Sequence, residues 1–231
     1  GYPYIQARCS FLQCVSQFAL GDLPAARIHG VQAVEALPDE APIPIRIDHL
    51  IMLAVAYGPG PESAAQYREA LDLTAAIGDT TRAIGIHNNL AYFAWLADDQ
   101  AAALEHVHQM LTLSETRGIP LKASALDTVA CVYISAGCYA DAVAILGPAV
   151  EDGSAVFSPH NRGGVLHTEP YALPECLLTL SKAHRLPGHL DAAAACLDPR
   201  AALATERDLR QATAHVLGAG RAPHADPGRG Q

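Results

Sequence analysis

Two consecutive stretches of this chain repeat one another, and that constrains its fold more than any other feature. His87 to Pro120 and Leu121 to Val150 share a skeleton of a helix with an aromatic near its end, a short break, and an Ala-rich second helix. Leu90-Ala91 lies over Val129-Ala130, Asp98-Asp99 over Gly137-Cys138, Ala103 over Ala142 and Met110 over Ala149, each 39 residues apart. Self-similarity at a fixed spacing of about 20–50 residues marks a repeat array, in which no unit can bury its own apolar surface alone. The break residues then run Gly21, Gly58, Asp98, Gly137 and Gly188, which divides most of the chain into helix pairs.

The apolar pattern fits that division. Phe11, Leu12, Val15, Phe18 and Ala19 recur at helical spacing, as do Ile47, Leu50, Ile51, Ala54 and Tyr57. Pro24 sits where a helix first turn tolerates a missing N–H, and Asp79-Thr80 supplies N-caps after Gly78. PDEAP, from Pro38 to Pro42, and GPGP, from Gly58 to Pro61, read as loops. The expected units are 4–38, 43–78, 80–118, 121–150 and 171–200, followed by a capping helix over 201–217. Residues 218–231 are aperiodic in Gly, Pro, Arg and His and are expected to form a disordered tail. The segment from Glu151 to Pro170 stretches the last interval and reads as an inserted surface loop. The chain opens at Gly1, already close to a helix, as a piece of a longer protein would.

Half of the residues are hydrophobic but only 6% are aromatic, so Ala and aliphatics carry the core, as close helix packing favours. A net charge of −9 argues against a nucleic-acid partner and leaves no polybasic segment for anionic lipid. The longest uncharged apolar run, near Leu50 to Tyr57, is too short to span a bilayer. Six cysteines with no C-x-x-C pair are expected to be buried, reduced thiols in a cytoplasmic protein.

The repeated pattern resembles the tetratricopeptide repeat. Val129, Ala130, Tyr133, Gly137, Ala142, Leu146 and Ala149 carry the resemblance most fully, and Leu90, Ala91, Asp98, Ala103 and Val107 carry it well. Gln13, Cys14, Gly21, Ala26, Ala33 and Pro38 match in part. Gly58, Ser63, Tyr67 and Ala70 are looser, and Leu180, Ser181, Gly188 and Ala193 match mainly in the first half. The units exceed that family's period of about 34. Elongated, Ala-rich repeats of this kind are similar to those of bacterial regulators joined to diguanylate cyclase or transcription-factor output domains. The resemblance implies an all-α fold, a right-handed α-α superhelix of about five helix pairs plus a capping helix.

It also implies that the first helix of each unit lines the inner face. The residues so placed are Phe11, Val15 and Phe18; Asp48, Met52 and Val55; Asn88, Tyr92 and Trp95; Asp127, Cys131 and Ile134; and Leu178, Lys182 and Arg185. That face would be apolar in the middle, acidic at two points and basic at its far end. It lacks the Lys/Arg/Asn cluster of tetratricopeptide carboxylate clamps, so an apolar peptide or amphipathic helix is the expected partner. The same residues also fit an inner packing layer. No phosphate-binding loop, dinucleotide fingerprint, nucleophile elbow or H-E-x-x-H motif is present, and no cofactor or metal is expected. His106 and His108 are two apart on a helix, point apart, and read as solvated. The chain is therefore expected to be a protein-interaction or scaffolding module. The alternatives are a sensor for a small apolar ligand and an enzyme with a pocket under the 151–170 loop, where His160, Arg162 and His167 cluster.

Overall fold

The structure, a computed structural model, describes residues 2–151 and 172–189 together with Ala192. Among them it holds nine α-helices and no strand: α1 (Pro3–Ala19), α2 (Leu23–Glu35), α3 (Ile43–Tyr57), α4 (Pro61–Ile77), α5 (Thr80–Leu96), α6 (Gln100–Arg117), α7 (Ala123–Ser135), α8 (Tyr139–Glu151) and α9 (Ala172–Arg185). The loop expected over 151–170, the second helix of the fifth unit, the capping helix and the tail lie outside the described residues, apart from Glu151 and isolated Ala192.

The turns inside the pairs have a common cause. Gly21, Gly58, Asp98, Gly137 and Gly188 all adopt positive φ, between 58° and 93°. At Gly21, Asp98, Gly137 and Gly188 that left-handed residue ends the first helix and lets the next amide reach back five residues along the chain, whereas Gly58 is followed by Pro59, which has no N–H to give. Asp22 N bonds Gln17 O, Asp99 N bonds Ala94 O, Cys138 N bonds Tyr133 O and His189 N bonds His184 O, at 2.8–2.9 Å. Asp22, Asp79 and Asp99 then cap the following helices, accepting from Ala25 N, Arg82 N and Ala102 N. Each such cap is worth about 1 kcal/mol.

Packing makes a solenoid of these pairs. Every core joins one pair to the first helix of the next. Phe11 and Cys14 of α1 and Ala26 and Ala33 of α2 close on Met52 and Ala56 of α3. Ile47, Leu50 and Ala54 of α3 with Tyr67 and Ala70 of α4 close on Ile86 of α5. Ala91, Ala103, Val107 and Met110 take Val129 and Val132 of α7. Ala130, Ile134, Ala142 and Leu146 take Cys176, Leu180 and Ala183 of α9. Stability in such an array is approximately a sum over units and nearest-neighbour seams.

Second helices also hold the next unit by its helix end. Arg27 of α2 donates to the carbonyls of Ala56 and Tyr57 at the end of α3. Gln100 of α6 donates to Val132 O of α7 and accepts from Ser135 Oγ. At the first seam the approach is close enough that a Cβ on Gly30 would lie 3.0 Å from Leu53 Cδ1.

The first helices form the inner layer. α1 touches α3, α5 touches α7 and α7 touches α9, whereas no comparable contact joins one described second helix to the next. This is the contact pattern that the resemblance to a superhelix with first helices on its inner side implies. Between α3 and α5 comparable contact is also missing. The wall is bridged at that point by Arg82 of α5, which donates to both carboxylate oxygens of Asp48 at 2.8 and 3.2 Å.

Candidate functional site

The inner-face residues divide into three kinds. Phe11, Met52 and Ile134 are buried (2%, 2% and 6% exposed), so they pack the seams and do not line an accessible groove. Phe11 stacks on the His49 ring at 4.4 Å, and Met52 fills the core between α1 and α3. The physical reason is that α1 lies against α3, and α9 against α7, and each covers the face that would otherwise be open.

A second kind is partly buried and engaged. Asp48 is held by Arg82, whose guanidinium also donates to the Asp79 N-cap carboxylate. The Asp48 and Asp79 carboxylates hold Arg82 above even its ordinary high pKa. Cys131 Sγ lies 3.7 Å from Thr179 Oγ1 of α9. Val15, Phe18, Val55 and Asp127 are partly buried, and Val15, Phe18 and Val55 pack against the first core. Asn88 is partly buried, and its Oδ1 is enclosed without a hydrogen-bond partner.

The third kind is open. Tyr92 is 42% exposed, and its ring lies 5.7 Å from that of Trp95 one turn further along α5. Trp95 is partly buried against the core that α5 shares with α6 and α7. At the far end Leu178, 61% exposed, runs along α9 with exposed Lys182 and Arg185. The structure thus leaves two surfaces on the inner helices: an aromatic one in the middle and a basic one on α9.

One contact was not expected. His106 is partly buried, and its Nδ1 lies 3.3 Å from Nδ1 of His87 across the α5–α6 seam. His108 is exposed, as expected. Burial lowers the pKa of both members of the pair, to about 4 for His87, where the His106 charge adds to the effect. The tertiary pairing was readable by counting outward from the break. Ala91 and Ala103 oppose each other, and one turn further out along each helix come His87 and His106.

The thiols are also more varied than expected. Cys14 and Cys176 are buried, and burial pushes the Cys14 thiol up to about 11. Cys9, on α1, and Cys138, at the turn before α8, are exposed among the described residues. No disulfide joins any of the described cysteines. Among the described residues no group of three or more His, Cys, Asp or Glu is placed to hold a metal, and no helix is long and apolar enough to cross a membrane.

No family model matches the chain, and no curated protein matches it. Among solved structures, the crystal structure of BtubC (BKLC) from P. vanneervenii is similar over 100% of this chain and 98% of its own, with a TM-score of 0.59 and 16% sequence identity. At that identity the likeness is one of fold, and it agrees with an all-α array of stacked helix pairs.

Proposed function

We propose that this chain is a tetratricopeptide-like interaction module, the regulatory or scaffolding segment of a larger bacterial protein. It takes an apolar or amphipathic peptide against α5 on its concave face. The observation that carries this reading is the Tyr92–Trp95 pair: one ring open, one half-buried, on an inner helix that α3 approaches less closely than α1 approaches α3. Large rigid aromatics of this kind provide contact area at little entropic cost and are common binding anchors. A cytoplasmic location goes with this reading, since the described cysteines form no disulfide.

The test is selection from a displayed library of random peptides on the immobilised chain. Wild type is expected to enrich apolar, helix-forming sequences whose binding shifts the fluorescence of Trp95, the single tryptophan. Tyr92→Ala should weaken the selected peptides by about 2 kcal/mol, as hot-spot truncations do. Enrichment that is indifferent to Tyr92→Ala and Trp95→Ala, or no enrichment, would remove the aromatic surface as the site.

A further inference from the structure

The His87–His106 contact brings together two ring nitrogens that the peptide-binding reading does not use. Its two Nδ1 atoms lie 3.3 Å apart, on different helices, with ring centroids separated by 5.4 Å. Without a metal, the contact is that of an N–H···N hydrogen bond between two neutral rings of opposite tautomer. As one edge of a metal tetrahedron it fits, since Zn–N bonds of about 2.0–2.1 Å put two ligand nitrogens about 3.3–3.4 Å apart.

The surroundings suit a borderline divalent cation. An ordinary imidazole, with a pKa of about 6.5, is mostly neutral near pH 7 and presents a lone pair to a cation. Glu105, next to His106, is the charged group whose field reaches both rings, and it favours positive charge there. Both histidines are only partly buried, which leaves room for water to complete the coordination. Hard cations such as Mg2+ and Ca2+ prefer oxygen ligands, which the pair does not supply. We propose that His87 and His106 form a two-histidine site for Zn2+ or a similar transition-metal ion, completed by water, which when filled clamps α5 to α6. With only two protein ligands it is an exchangeable site, unlike a closed structural one.

The experiment uses the full chain stripped with EDTA and titrated with ZnCl2 alone, by calorimetry and thermal unfolding. One Zn2+ at the strongest site is expected, with a melting temperature that rises with zinc and returns on chelation. His87→Ala and His106→Ala should each weaken that site by at least about tenfold, the scale seen even for outer-shell losses. His108→Ala, on the same helix and exposed, should leave it unchanged and so controls for the eleven histidines of the chain. Circular dichroism in EDTA establishes first that each variant is folded. Imidazole nitrogen spectra of the wild type give a readout that needs no variant: zinc should move two Nδ1 signals together. Binding that survives both alanine variants, two Nδ1 signals that stay fixed at saturation, or no zinc bound would overturn the proposal.

Discussion

Helices α3 and α5 occupy the same place in successive units, yet one is sealed and the other is open. Measured from their break residues, Gly58 and Asp98, Asp48, Met52 and Val55 stand in register with Asn88, Tyr92 and Trp95. α3 buries Ile47, His49, Leu50, Met52, Leu53, Ala54 and Ala56, whereas α5 buries only Ile84, Ile86 and Ala91. The difference arises at the neighbours: α1 lies more closely against α3 than α3 does against α5, although Ile47, Leu50 and Ala54 still pack on Ile86 and Asp48 still holds Arg82. A repeat array can therefore loosen one step of its inner wall without changing the repeat. At that step Tyr92 is exposed.

The sharpest way to break this comparison is to truncate the two register-equivalent side chains. Met52→Ala removes a side chain 2% exposed and should cost about 2–5 kcal/mol, because neighbours refill such a cavity only in part. Tyr92→Ala removes one that is 42% exposed and should cost well under half of that. Urea unfolding of both variants measures the difference. Equal losses would mean that α5 is as sealed as α3, and the aromatic surface would not exist.

That difference marks the limit of what the sequence could disclose. The helix pairs were legible because backbone chemistry dictates them. A left-handed turn calls for Gly or Asp, as at Gly21, Gly137 and Asp98, and close helix crossing calls for Ala91, Ala103, Ala130 and Ala142. Which inner residues would be open was not legible. The pattern around Met52 and Tyr92 is the same, and only the approach of a helix from another unit distinguishes them. His106 was misplaced for a similar reason. Its spacing to His108 is local and argues for solvent, whereas its partner, His87, lies on the other helix of the hairpin.

Acid should act on the two regions through histidines of different kinds. His49 in α3 is enclosed and donates from Nδ1 to Ile45 O, and its pKa is lowered first by burial and then by Arg8, against the opposing Ile45 bond and the field of Asp48. His87 and His106 are lowered at the α5–α6 seam, His87 to about 4, with Glu105 opposing. In each case the folded state binds protons less readily than an unfolded histidine with pKa about 6.5. The linkage sign is then fixed: stability is fully present above about pH 6.5 and is lost as pH falls toward the folded-state values. The urea midpoint, measured in EDTA, is expected to fall between pH 7.5 and pH 5. His87→Gln should flatten part of that fall, since the seam then has one fewer group to protonate. A midpoint unchanged over this range would show that these rings are better solvated than the structure places them.

The smallest effect expected lies at the turns that define the register. Gly58 and Asp98 hold the same place in their units with φ of 72° and 58°, although only after Asp98 does the next amide reach back, Asp99 N to Ala94 O, and Asp98 is the one described non-glycine residue with positive φ. An L side chain in the left-handed region costs roughly 1–2 kcal/mol, and Asp is among the residues that bear it best. Asp98→Gly removes that strain but also frees the unfolded backbone, which offsets part of the gain. The net stabilisation should be a few tenths of a kcal/mol, up to about 1. Gly58→Ala should cost about 1 kcal/mol or more, because Ala tolerates positive φ less well than Asp and nothing within 4 Å of its Cβ would repay it. Asp99, the N-cap of α6, is untouched by either change and keeps its bond to Ala102 N. Thermal unfolding of the two variants therefore isolates the turn. Should Asp98→Gly prove destabilising, the Asp98 carboxylate contributes a contact that outweighs its strain.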